Sequence, residues 1–324
     1  MQKLKHTSTQ GAIKPINASS IAEAIINSRA PTRGEIAKSA GVTEMTVCRA
    51  VSILDEAGFI AERATDNTYG AKLKLSLEPS LSFIVADVTE PSYSIYLFSS
   101  DLSLIEQHNH AYNHSIDADL NLNLFLEKAK AQFSAKVKHF SGIAVIFNNE
   151  NFNDPTVCKA IEQSFGCPIT ASLKIEDCIK NLRTSAIDSK FPAESMYYLH
   201  IGNRNFAYFV NEKCAIKSNP QILVDKNGAT VGELISTCIT PEQAGDIIYS
   251  IVNAASAILD AKLFLVESDR FVLGKSMGNI IAEKLKTHVS DKRRIVISDS
   301  KPHYRIKGAV LALQKEIIKS ILVK

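Results

Sequence analysis

The rhythm of apolar and polar positions divides the chain near Pro79. Residues 1–15 are polar, show no period and end in Lys14-Pro15, which predicts a frayed tail. From Ser20 the spacing becomes helical, with Ile21, Ala24 and Ile25 on one face and Ser20 and Glu23 at capping-box separation. This helix is expected to stop near Ser28, ahead of Pro31. Thr32 and Glu35 repeat the capping-box spacing and open a short second helix, with Ile36 and Ala37 inward, that ends at Ala40-Gly41. Gly41 supplies the backbone freedom of a sharp turn. Thr43 caps a third helix with Val47, Val51 and Leu54 inward, ending around Ala57-Gly58. Phe59-Ile60, a polar loop from Glu62 to Tyr69, and the alternating Lys72-Leu73-Lys74-Leu75 then predict a hairpin, or wing.

Beyond Pro79, strand-like runs (Phe83 to Asp87, Ser94 to Phe98, Gly142 to Phe147, Tyr197 to Ile201, Ala207 to Val210, Ile295 to Ile297) alternate with helical patterns. The clearest helix runs from Pro241 to Leu259, with Ile247, Ile248, Ile251, Val252, Ala255, Ile258 and Leu259 on one stripe. This alternation implies an α/β body with a mixed sheet in two lobes. No internal repeat is sharp enough to align, and no tract is of low complexity. The expected domains are 1–78, a winged helix-turn-helix, and 79–324, the α/β body.

Composition narrows the class. With 324 residues the chain is long enough for two domains, at roughly 100–200 residues each, and 45% apolar with 22% charged residues exclude a disordered or fibrous chain. No apolar run approaches the ~20 residues of a membrane-spanning helix, and the start MQKLKHTSTQGAIKP has no signal-like apolar block, so a cytoplasmic protein is expected. Six cysteines (Cys48, Cys158, Cys167, Cys178, Cys214, Cys238) form no CxxC pair, which argues against a zinc ribbon or dithiol motif and for free thiols. The net charge of +3 is unevenly placed: residues 1–75 hold 10 Lys+Arg against 7 Asp+Glu, and the remainder is balanced. A basic head on a neutral body suits a polyanion partner.

Within the head, TRGEIAKSAGVTEMTVCRAVSILDEAGFI has the layout of a helix-turn-helix. Ala37 lets two helices approach, Gly41 makes the turn, and Val47 and Val51 pin the second helix to the first. The N-terminal part of that second helix enters the major groove in this geometry, which makes Thr43, Glu44, Thr46, Cys48 and Arg49 candidate readers of base edges and phosphates. The forked donors of Arg49 match guanine or a phosphate, and Glu44 can accept from a cytosine amino group. Thr32 and Arg33 are placed to hold a backbone phosphate, and Lys72, with Lys74, to approach the sugar-phosphate backbone from the wing. The competing reading is a helical hairpin with no nucleic acid near it. Cys48 reads as a small residue fitted against DNA rather than a redox switch.

The order of segments in the body resembles the ROK family (repressors, open reading frames and sugar kinases). It is carried by LSLEPSLSFIVADVTEPSYSIYLFSSDLSLIEQ, SGIAVIFNNEN, GCPIT, YYLHIGNRNFAYFVNEK and AKLFLVES behind a winged helix. The head alone also resembles DeoR-type regulators. The resemblance implies an actin-like (ribonuclease H-like) two-lobed α/β body that serves as sensor and oligomerisation domain, in regulators of carbohydrate uptake and use.

The departures bear on chemistry. In the phosphate loop Asp-x-Gly-x-Thr of the family's kinases, Asp87 stands here, but Thr89 takes the glycine place and Pro91 the threonine place. Of the second loop only Gly202 remains, in Gly202-Asn203-Arg204-Asn205-Phe206. Bulky residues there remove backbone access to phosphates. Lys174 takes the place of the catalytic aspartate, and a protonated amine accepts no proton. The sugar-binding Glu-x-Gly-His element is missing in both alignments. One places Ser236 at the histidine within Val231-Gly232-Glu233-Leu234-Ile235-Ser236, and the other leaves Pro220 and Gln221 there. Cys214 and Cys238 lack zinc-site spacing. No catalytic residue, cofactor or metal is therefore expected.

The remaining polar features have ordinary readings beside functional ones. His108, His110 and His114 in HNHAYNH read as a strand end rather than a metal site, and His200 as a hydrogen-bonded core residue. Tyr197, Tyr198, Phe206, Tyr208 and Phe209 either pack a central sheet or line a pocket, and Lys292-Arg293-Arg294 reads as a solvated run before a strand. The expectation is a sequence-specific DNA-binding regulator of carbohydrate-related genes, with a double-stranded operator, a small-molecule effector such as a sugar, and a homodimer or homotetramer. The rivals are a sugar kinase with a vestigial head and a regulator whose body only oligomerises or binds a protein.

Overall fold

In the computed structural model the described residues are 12–28, 30–64, 73–89, 93–109, 118–147, 154–185, 193–201, 206–218, 240–268, 283, 294–298 and 303–324. Expectations that involve Lys72, Pro91, His110, His114, residues 202–205, Pro220, Gln221, residues 231–236, Cys238, Lys292 and Arg293 lie outside them, as does the side chain of Phe206.

Three helices come first: α1 (Pro15–Asn27), α2 (Arg33–Ala40) and α3 (Glu44–Glu56). The first begins five residues earlier than its pattern suggests. Pro15 opens it without losing a hydrogen bond, since a first-turn N–H has no intrahelical acceptor. Ser20 is therefore inside the helix, its hydroxyl donating to the Ile16 carbonyl at 3.2 Å, and the expected Ser20–Glu23 capping box does not form. The tail is tied down at its described end as well. Ile13 is buried, and its N–H donates to the Leu322 carbonyl at 2.9 Å.

The other two helices start where their caps predict. The Thr32–Glu35 capping box closes in both directions, Thr43 accepts from Thr46 N–H, and Gly41 ends α2 in the left-handed region at φ 65°. Ile36, Ala37, Val47, Val51 and Leu54 are all buried. The antiparallel hairpin β1 (Ile60–Ala64) and β2 (Leu73–Leu77) completes the winged unit.

The body holds two five-stranded sheets of one topology. In the first, β3 (Ser82–Asp87) lies centrally, antiparallel to β4 (Ser94–Ser99), which pairs antiparallel with β5 (Leu104–Asn109); on its other side β3 runs parallel to β6 (Gly142–Phe147), and β6 to β7 (Ile169–Lys174). In the second, β8 (Ser195–Ile201) plays the part of β3: β9 (Phe206–Asn211) and β10 (Ala215–Ser218) follow antiparallel on one side, β11 (Leu263–Ser268) and β12 (Arg294–Ser298) parallel on the other. The duplication that no residue-level repeat discloses is a duplication of strand pairing.

Period-two alternation sorts each sheet's side chains between layers. Ile84 and Ala86 face α4 (Ala118–Ser134) and α5 (Pro155–Phe165), whereas Phe83 and Val85 face inward. Tyr197, Leu199 and Ile201 pack under α7 (Pro241–Ile258), whereas Met196 and Tyr198 face the shared core. The aromatic set is thus core packing for Tyr197, Tyr198, Tyr208 and Phe209, all buried. One stripe position is misplaced by the pattern, because Ile258 at the last turn of α7 is 82% exposed.

The element with the widest reach, α8 (Tyr304–Val323), is one the sequence reading leaves unnamed. It packs on α6 (Ile175–Thr184), on β3, β6 and β7, and on α1 and α3. Its apolar residues Ile306, Ala309, Val310 and Leu313 join a single core containing Ile21, Ile36 and Leu54 of the winged unit and Tyr198 and Leu265 of the second sheet.

Lys315 of α8 is only 8% exposed, and burial holds its ammonium down to about 8, with Glu23 of α1 acting the other way. A lysine depressed in the folded state opposes folding while it is charged, so stability rises with pH between about 8 and the ordinary 10.5. Urea unfolding midpoints of Lys315→Met, compared with the parent across this window, should lose that rise. The variant should be more stable near pH 7, by on the order of 1–3 kcal/mol.

Candidate nucleic-acid interface

The N-termini of α2 and α3 lie side by side. A β-carbon added at Gly34 would stand 3.3 Å from Glu44 Oε1, so the second residue of α2 faces the first of α3. Both ends carry partly unsatisfied N–H groups and the positive pole of a helix dipole, which favours an anion. The hydroxyls of Thr43 and Thr46 are 2.9 Å apart, and Thr32 caps the neighbouring end. Thr43, Glu44 and Met45 are exposed and Thr46, Cys48 and Arg49 half-buried on the same stretch of α3. Seven of the eight predicted contact residues thus share one surface; Lys72 falls outside the described chain.

Arg33 is engaged within the protein. Its Nε and one terminal nitrogen donate to the two carboxylate oxygens of Glu62 at 2.8 and 2.7 Å, and the other terminal nitrogen lies 3.5 Å from Cys48 Sγ. This fork ties α2 to β1 and to the middle of α3, and it keeps the guanidinium charged. A phosphate at Arg33 has to share it with Glu62. Cys48 sits against Arg33 as a small neighbour in this triangle.

Two residues absent from the sequence reading belong to the surface. Met45 is 79% exposed at the start of α3, an apolar side chain of the kind that meets a thymine methyl. Its signal is an apolar residue just after a cap, off the buried stripe. Arg63 stands directly opposite Lys74 across the hairpin, and both are exposed. Like charges facing each other across strands cost stability when nothing neutralises them, which suits a wing that meets an anion.

A second constellation sits where the two lobes meet, at the C-terminal ends of β3 and β8. Asp87 Oδ2 accepts from Arg305 of α8 at 2.9 Å, and another Arg305 nitrogen is 3.0 Å from His200 Nδ1. Thr89, at the position where the related phosphate loop carries glycine, turns both its N–H and hydroxyl onto Asp87 Oδ1 at 3.1 and 2.6 Å. Donors that would meet a phosphate are spent on this carboxylate. On the neighbouring strand β11, Glu267 accepts from the Tyr198 hydroxyl at 2.8 Å and from Tyr304 N–H at 2.6 Å, with His303 packed edge-on against His200.

All these side chains except that of Tyr304 are buried. Burial works against the Arg305 charge, and Asp87 with Tyr198 more than restores it, leaving the guanidinium well above its ordinary range. Burial and Glu267 push the Tyr198 hydroxyl far up. His200 is the hydrogen-bonded core residue its strand position predicts. Lys174 ends β7 and leads into α6, its N–H donating to Asp177. Arg305, Glu267 and His303 escape sequence reading, and Tyr198 is named only as an aromatic, because their pairing spans the chain.

Among the described residues no group of three or more His, Cys, Asp or Glu is arranged to hold a metal ion, and no helix is long and apolar enough to cross a membrane. The five described cysteines are free, Cys178 buried and the rest partly so.

No sequence-family profile matches the chain, and no curated protein matches it in sequence. Solved structures do. A ROK family transcriptional regulator, homolog of the E. coli MLC protein, superposes with a TM-score of 0.64 over 95% of this chain and 98% of its own, at 11% identity. A ROK family glucokinase from Streptomyces griseus, solved with glucose and AMPPNP, reaches a TM-score of 0.50 over 70% of this chain and 97% of its own, at 8% identity. The regulator's 95% coverage takes in winged unit and body together, whereas the kinase covers 70% of this chain. The chain therefore has the fold of a ROK family transcriptional regulator, an N-terminal helix-turn-helix on an actin-like, ROK-like body.

Proposed function

We propose that the chain is a sequence-specific, double-stranded-DNA-binding transcriptional regulator, dividing at residue 78 into a reading head and a body without phosphoryl-transfer chemistry. The observation that carries the reading is the paired N-termini of α2 and α3, with Thr43, Glu44, Met45, Thr46 and Arg49 on one accessible surface beside a wing bearing Arg63 and Lys74. In this reading α3 lies in the major groove, Arg49 and Met45 meet base edges, and the helix ends and the wing, Lys72 included, meet phosphates. Two copies set two heads on successive grooves, in the cytoplasm, at genes of carbohydrate use. The carbohydrate link draws on the resemblance to the ROK family and on the likeness of the body to the glucose-bound glucokinase.

The rival reading, a sugar kinase, draws on the likeness of the body to that glucokinase. It needs Asp87 available to a nucleotide, whereas Asp87 is held by Arg305 and Thr89. ATP consumption in the presence of hexoses would revive it.

The test of the head is a titration of a selected site by Arg49→Ala. The expected loss is roughly 1–3 kcal/mol, about fivefold to 150-fold in affinity, with discrimination relaxed at one base pair. Lys74→Ala should weaken all sequences alike and lower the salt dependence by about one released counterion. Unchanged binding by Arg49→Ala removes that residue from the interface.

A further inference from the structure

The winged unit does not close fully onto the body. Between them lies a cavity of about 360 Å³, within the roughly 300–1,000 Å³ of small-molecule sites. Its walls come from three parts of the chain. Ile25 and Ile26 at the end of α1 and Leu75 and Leu77 of β2 form the side belonging to the winged unit. Leu311 and Gln314 of α8 form another, and Ser100, Asp101 and Leu102 in the turn between β4 and β5 form the third. Gln314 Nε2 donates to the Ser100 carbonyl at 3.1 Å, which fixes the turn to α8.

Two features set this seam apart. Among the described residues, the non-glycine positions with positive φ are Ala30 at 47° and Leu102 at 68°, and both line the cavity. Such backbone costs energy and is retained where surroundings hold it, often beside binding sites. Among the lining residues, Asp101 alone carries a charge. Its Oδ1 accepts from Ser99 Oγ at 2.5 Å and Ser103 N–H at 3.1 Å, and these donors hold the carboxyl below its ordinary range. Asp101 is itself exposed, so its carboxylate is open to a ligand from solvent. Walls that join aliphatic side chains to Ser28, Ser76, Ser100 and Gln314, with one ionised acceptor and no lining base, are complementary to a cation on an apolar body.

We propose that this cavity binds a small organic amine, its ammonium on Asp101 and its hydrocarbon part among Ile25, Leu77 and Leu311. Walls from both the winged unit and the body make such a ligand a brace between them. If DNA binding is as proposed above, on which this second step rests, the bound amine changes operator affinity by favouring one placement of the head.

The test is calorimetric titration of the full chain near pH 7 with hexylamine, octylamine and phenethylamine, each beside the corresponding alcohol. Saturable one-to-one binding by an amine is expected, with its alcohol about tenfold weaker. Asp101→Asn keeps the Oδ1 acceptor of the turn and should cost the amine about tenfold while leaving the alcohol unchanged. Ser76→Trp, which fills the cavity from β2, should abolish both. Absence of saturable binding by every amine overturns the proposal, as does amine binding indifferent to Asp101→Asn. Operator affinity is measured separately with and without amine. Amine binding without DNA binding keeps the site and sinks the regulator reading, and DNA binding without amine binding does the reverse.

Discussion

Asp87→Ala should destabilise the chain by about 3–5 kcal/mol, because it leaves the buried Arg305 guanidinium without its partner. The measurement is the urea midpoint of the purified variant. Replacing both partners separates a charge left alone from an ion pair of high intrinsic worth. Asp87→Leu with Arg305→Met should recover most of the loss, since apolar residues of similar volume often substitute for a buried pair at little cost. Full loss in the double variant would mean that the pair is needed for its hydrogen bonds to His200 and Thr89 as well. The outcome bears on function, because the same pair fills the place that a nucleotide-binding reading of Asp87 requires.

Gly308→Ala should cost about 3 kcal/mol, the upper part of the range for overpacking, despite the gain in helix propensity. An added β-carbon at Gly308 meets the backbone carbonyl of Cys178 well inside contact distance, and a backbone carbonyl at a helix crossing cannot swing aside as a side-chain tip can. Since α8 also packs on α1 and α3, this separation of α8 from α6 loosens the seat of the winged unit. Amide exchange in α1 and in α8 should accelerate together. Wild-type exchange in α1, with only α8 affected, would show that the winged unit holds without that helix.

What could be read from the residues follows the range of the interactions. Thr32, Glu35, Gly41 and Thr43 act within four positions of themselves, and the structure puts α2 and α3 where those residues demand. The buried strands β3, β6 and β8 were visible as short apolar runs for the same reason. Ser20 misled because a capping residue and a mid-helix serine look alike until the backbone upstream is known, and Pro15 with the buried Ile13 decided the start. Edge strands such as β5, half exposed and carrying Glu106, Gln107 and His108, have no apolar run to show. The duplicated pairing order is carried by which strands touch and not by which residues recur. Arg305 and Asp87 lie 218 positions apart, and nothing local to either announces the pair. In the head, sequence spacing located the surface but not its inner bonds: Glu62 takes the fork of Arg33, and Met45 joins the exposed face because it lies off the buried stripe.

The central claim is that α3 reads DNA sequence, and selection from random duplex DNA by the full-length protein at about 150 mM salt tests it most directly, because non-specific phosphate contacts are weakened there. The account predicts enrichment of a palindromic site whose half-sites are lost with Arg49→Ala. Binding that enriches no sequence and collapses with modest added salt would contradict it.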